Sequence, residues 1–214
     1  MFDYIIIPFL VHITTYWSLS FIFYLLDLKY LEKNHVNWLN YKKAAKCSFI
    51  NQIMISFPTI YFTEKYIILA VEKSCNDSNS TILFKIFIIV NMANFLFYIF
   101  HRLFHTKILF KLIHYKHHEF IEPIAVAALY SNPIEHLFAN TLSFLIPFYI
   151  VGVPYYTMLF LLCSGSCIVV FSHINYRLVS DEMHLIHHKL FKYNYGFISY
   201  LDKIFGTYKI KNEI

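Results

Sequence analysis

Ten of the twelve histidines lie from residue 101 onward, and most of them keep a helical spacing. His101 and His105 are four apart, His114, His117 and His118 follow as i, i+3 and i+4, and His184, His187 and His188 repeat that second pattern. On an α-helix each group falls on one face. A face of neutral imidazoles presents Nδ1 or Nε2 lone pairs, the donor type that suits iron, zinc, copper or nickel. One such ring is more often a satisfied core histidine than a ligand, but three clusters at ligand spacing point to a metal. Together with His173 there are nine such nitrogens, more than one ion can use, so a two-metal centre is expected, with His136 as a tenth candidate. Metal-bound imidazoles pass their second N–H to a carboxylate or carbonyl. Glu135 is placed for that role, because Asn132 can cap a helix that Pro133 begins. No catalytic side chain beyond the metal centre is expected.

The elements that carry these residues are apolar. The chain of 214 residues is 58% hydrophobic, 20% aromatic and only 14% charged, with a mean hydropathy of +0.51. That is too little charge to cover a soluble globule, and several windows approach the roughly 20 apolar residues that cross a bilayer. An all-α integral membrane bundle with about four membrane segments and a histidine-rich helical cap is predicted. Residues 4–26 form a retained first span, since no basic segment precedes them and no small-residue cleavage site follows. A second apolar stretch, 47–71, is predicted to bend or re-enter at Pro58, and 82–100 forms a third span. Residues 137–171 are broken by "VGVP" into two short arms, a membrane hairpin. The organisation is one structural domain, with spans in 1–100 and the histidine region in 101–214.

Segments 27–46, 101–136 and 173–214 hold 15 of the 18 Lys and Arg residues. The positive-inside rule places all three in the cytosol. Every histidine from His101 onward then lies at one membrane face, leaving out His12 and His35. The loop at 72–81 faces the other side and carries two sequons, at Asn76 and Asn79. Four cysteines without a CxxC pair indicate no disulfide framework. Four glycines leave no phosphate-cradling loop, and the net charge of +5 finds its explanation at a membrane, so no nucleic-acid partner is expected.

"HRLFH" at 101, "HYKHH" at 114 and "HLIHH" at 184 resemble the histidine boxes of the fatty acid hydroxylase superfamily, which includes the sterol desaturases and C-4 methylsterol oxidases. The similarity extends through "KHHEF", "NPIEH", "SHINY", "YNYG" and "LDKIFGTY", covering the C-terminal half closely and the first hundred residues in hydropathy alone. Within the last motifs, Asn194 and Asp202 join Glu135 as residues supporting the ligands. The resemblance implies a non-haem di-iron oxygenase of the endoplasmic reticulum membrane. Such enzymes use O2 and electrons from NAD(P)H, delivered by cytochrome b5 and its reductase, to hydroxylate or desaturate a sterol or fatty acyl lipid. Lys189, Lys192, Lys203, Lys209 and Lys211 are then a candidate docking surface for the acidic donor. The sterol members carry a longer segment between "SHINY" and the last box, and often one more histidine where Met183 stands here. His136 could supply that nitrogen. The alternative is a histidine-rich membrane metalloprotein of another class, a zinc hydrolase or a metal transporter, because spacing alone does not separate iron from zinc.

Overall fold

A computed structural model describes residues 3–30, 37–176 and 182–210; His35 and Lys211 lie outside these. The described residues are all-α. Four helices are long and apolar enough to cross a membrane: α1 (Asp3–Tyr30), α2 (Trp38–Glu72), α3 (Asn79–Phe104) and, after the short α4 (Lys107–Leu112), α5 (Pro133–Val151). α6 (Tyr155–Phe171) is equally apolar but shorter, and α7 (Glu182–Leu190) and α8 (Tyr200–Ile204) follow it. The protein is a multi-pass membrane bundle.

Local sequence sets the helix starts. Asn37, Ser78 and Asn132 each accept a backbone N–H of the first turn of α2, α3 and α5, which satisfies a donor the helix itself leaves unpaired. Pro133 sits in the first turn of α5, where its missing N–H costs nothing. Because α5 begins there and not at residue 137, the first arm of the hairpin has 19 residues. It is therefore long enough to cross, which the expected short arm was not. The hairpin turns at Gly152, whose φ is +69° and whose hypothetical Cβ would lie 2.4 Å from the carbonyl oxygen of Ala70. Only glycine serves there.

α2 also departs from expectation, running unbroken through Pro58. A π-helical turn at Gln52–Ser56 precedes the proline, and the widened turn accommodates a ring that would collide with the carbonyl of an ordinary α-helix. A second π-helical segment, His136–Leu142, lies inside α5.

α1 packs on α2 and α6, and α5 packs on α2 and α3. Ile5, Phe9, Ile67, Val71, Phe148 and Met158 form the core at the hairpin end. Tyr16, Phe23, Ala128, Leu129 and Val170 form it toward the histidines. Large apolar side chains such as Phe21, Phe62, Leu83, Phe87 and Tyr156 remain exposed around the bundle, as lipid contact requires. The end of α3, the start of α5 and the end of α6 converge, and the histidine segments sit on that end.

Candidate metal centre

Nine imidazoles form two groups. His101, His105, His114, His118 and His187 make one, and His117, His173, His184 and His188 the other; within each group the ligand nitrogens lie within 4.8 Å of one another. His101 lies in the last turn of α3 and His105 caps that helix. His114, His117 and His118 lie on a six-residue 3-10 helix, His114–Glu119, and not on the α-helix their spacing predicts. The run is too short to need an α-helical nucleus, and in the tighter helix residues i and i+3 eclipse. The rings of His114 and His117 accordingly stack, 5.4 Å apart and 27° from parallel. His173 follows the end of α6, and α7 supplies the last three. Each HxxHH box is shared between the groups: His114 and His118 join the first and His117 the second, while His187 joins the first and His184 and His188 the second.

Backbone carbonyls set the tautomers. Nδ1 of His101 donates to Tyr195 O (2.7 Å), Nδ1 of His187 to Tyr193 O (2.7 Å), Nδ1 of His117 to Tyr130 O (3.3 Å) and Nδ1 of His173 to Val169 O (3.0 Å). A carbonyl only accepts, so each of these neutral rings keeps its lone pair on Nε2. Yet Nε2 of His117 and Nε2 of His173 face each other at 3.3 Å, with no proton available between them. The same crowding of Nε2 atoms recurs from His105 to His187 (3.1 Å) and from His118 to His187 (3.2 Å). Converging lone pairs repel unless a cation lies among them, so the arrangement fits one metal ion in each group.

Burial keeps the ligands neutral. Outside the spans, desolvation followed by the neighbouring imidazoles pushes His105 down to about 2, and desolvation alone takes His117 to about 4. His114, His173, His184, His187 and His188 are lowered well below the usual histidine range for the same first reason. Unprotonated imidazole is the form that binds a metal.

Glu135 Oε1 lies 2.9 Å from His114 Nδ1, although without the alignment of a hydrogen bond. Among the described residues Asp202 and Asn194 make no hydrogen bond to an imidazole and act one layer further out. Asp202 accepts from Tyr195 N (2.8 Å), Gly196 N (2.9 Å) and Thr207 Oγ1 (2.7 Å). Asn194, at φ +59°, donates to the carbonyls of Met183 and Lys209 and accepts from Lys209 N. Together they fix the loop whose Tyr193 and Tyr195 carbonyls orient His187 and His101. Asn94 of α3, a polar residue in an apolar span, ties the same loop down through both the N–H and the carbonyl of Ile198. Its position was the only sequence signal for that role. His136 joins neither group: the π-helical turn aims it at α2, where its Nε2 lies 2.8 Å from Ser56 Oγ.

An inner cavity reaches both groups, lined by His101, His114, His117, His173 and His184 together with Phe97, Phe144, Ile168 and Phe197. A separate cavity, flanked by Lys107 and Lys192, reaches His105 and His118.

The fatty acid hydroxylase family profile matches residues 86–207. Fatty acid hydroxylase domain-containing protein 2 of Homo sapiens is 32% identical over 172 residues, covering 78% of this chain and 51% of that protein. Sphinganine C4-monooxygenase 1 of Arabidopsis thaliana is 33% identical over 126 residues, 52% of this chain and 48% of that protein. Methylsterol monooxygenase 1 of Gallus gallus is 26% identical over 232 residues, 92% and 74% respectively. The chain spans about half the length of the first of these relatives, and no solved structure matches it. Because the profile begins inside α3 and ends beyond α8, it takes in every imidazole of both groups, and the chain belongs to the fatty acid hydroxylase family.

Proposed function

We propose that this chain is a di-iron oxygenase of the endoplasmic reticulum membrane that hydroxylates or desaturates an unactivated C–H position of a sterol or fatty acyl lipid. The observation that carries the reading is the inner cavity, which touches both imidazole groups at one end and continues among the membrane helices. Two irons held by the five and the four imidazoles would supply the reductive activation of O2. Hydroxylation consumes one O2, two electrons and two protons, leaving the alcohol and one water; desaturation consumes the same and leaves an alkene and two waters. The chain's own part is to hold the ligands neutral, to set their ring angles through the Tyr193 and Tyr195 carbonyls, and to exclude water with Phe97, Phe144 and Phe197. The names of the relatives, with sphinganine, methylsterol and fatty acid in them, support a lipid substrate.

Protein purified from membranes and reconstituted anaerobically should contain about two irons per chain by elemental analysis. Membranes expressing it should accumulate, in one lipid class, a product heavier by one oxygen or lighter by two hydrogens. Less than one metal per chain, or metal content without any O2-dependent change in lipid mass, would overturn the reading.

Electrons are proposed to come from NAD(P)H through a cytochrome b5-type donor docking at the cavity beside His105 and His118. Lys107 and Lys192 flank it, and an acidic partner would be steered there. Reversing both charges should lower donor-driven turnover about tenfold at low salt while sparing peroxide-driven turnover. Equal loss by both routes would assign the lysines to folding or membrane seating.

A further inference from the structure

Deeper in the bundle lies a second cavity, which shares Asn140, Phe144 and Val169 with the inner one. Its walls are mostly apolar, from Ile60, Leu145, Phe148 and Leu161, yet they include His12, Ser56, Thr141 and Ser166. Most of these polar groups are committed to one another. His12 Nδ1 meets Ser166 Oγ at 2.9 Å and His12 Nε2 meets Gln52 Nε2 at 3.2 Å. Ser56 Oγ meets His136 Nε2 at 2.8 Å and Thr141 Oγ1 at 3.5 Å.

Asn140 is different. It stands where the two cavities join, and its side chain makes no hydrogen bond among the described residues. Asn140 is half-buried and lines both cavities, so its amide is available to a polar ligand within a largely apolar wall. The backbone around it is specialised too. Asn140 belongs to the π-helical segment of α5, which packs on the π-helical segment of α2 that supplies Ser56. Such widened turns re-aim side chains and concentrate at functional sites.

We propose that Asn140 is a specificity-determining residue that binds a hydroxyl on the lipid substrate, at the junction between the imidazole-lined cavity and the deeper apolar one. A hydroxyl both donates and accepts, and so engages the amide's oxygen and N–H together, whereas a carbonyl uses only the N–H. Asn140 lines the same inner cavity as His101, His114, His173 and His184, so the hydroxyl and the oxidised carbon are close neighbours in one molecule. The apolar remainder of the lipid extends past Phe144 and Gly165. Nothing but the Phe144 ring, at 3.8 Å, would meet a Cβ on Gly165, which leaves that wall open. The inference rests on the proposed lipid oxidation.

The test uses the full-length protein in nanodiscs and diazirine-bearing long-chain probes, one set with a secondary hydroxyl stepped along the chain and one without it. Wild-type protein should be labelled about tenfold more by the best hydroxyl probe than by its deoxy counterpart. Asn140→Leu should abolish that preference while keeping metal content and deoxy labelling. Gly165→Leu should depress labelling by both sets. Absence of a preference in wild-type protein, or its survival in Asn140→Leu, overturns the proposal; should Asn140→Leu fail to fold, the wild-type ratio and Asn140→Gln still decide. Lipid oxidation measured on the same membranes separates the two claims: oxidation without a hydroxyl preference sinks only the inference, whereas a preference without oxidation sinks only the proposed activity.

Discussion

Four of the nine imidazoles donate Nδ1 to a backbone carbonyl, which in those four rings leaves the Nε2 lone pair as the one a metal would use. Replacing a ligand and replacing a bystander should then differ sharply. His118→Ala should reduce bound iron from about two to about one per chain, whereas His136→Asn should leave about two, as elemental analysis would show. Equal loss in both variants would return His136 to the ligand set. Residue types and helical spacing are enough to make the nine histidines legible in the sequence. Their division into five and four is not legible there, because it depends on how α3, the His114–Glu119 turn, the end of α6 and α7 meet in space. Glu135 is found through its local cap, a signal contained in the four residues 132–135.

At the scale of elements, the loop between α7 and α8 is as necessary as the helices. Asp202 is buried and accepts three hydrogen bonds from that loop and the segment following α8. Asp202→Ala would leave two buried N–H groups unpaired and should cost roughly 3 kcal/mol. It should also weaken iron binding by about tenfold to a hundredfold, since the carbonyls orienting His101 and His187 would be released. Thermal denaturation and a metal titration would measure the two effects, and wild-type iron retention would refute the link. Helix starts at Asn37, Ser78 and Asn132 follow from capping chemistry and are open to prediction. The π-helical turns are not, because a proline in an apolar run looks like a break until the turn that absorbs it is seen.

Across the whole molecule, the convergence of three helix ends gathers both imidazole groups at one end of the bundle, with the Glu72–Asn79 connection and the Gly152 turn at the other. From the lysine and arginine distribution we propose that the histidine end faces the cytosol. In a background without the other cysteines, a membrane-impermeant maleimide should label Cys75, which is exposed, from the lumen only. It should label Lys192→Cys from the cytosol only, and labelling of both from one side would reject the orientation. Overall helical class and span number are readable from hydropathy alone, since both depend on composition over long windows. The joining of the two cavities is not, because it depends on contacts between α5 and α6 that no local pattern encodes.

The sharing of α7 between the groups also sets an order of assembly. Translation delivers His101 through His118 early and His173 only after the hairpin has been threaded, and both sets stay incomplete until His184, His187 and His188 emerge. The Asn194 contacts with Thr207 and Lys209 delay closure of the loop still further. Neither group has its full set of imidazoles until the last described span is already in the bilayer, so on the proposed function metallation would be a late, shared step of biogenesis, after the nascent chain has left the insertion machinery.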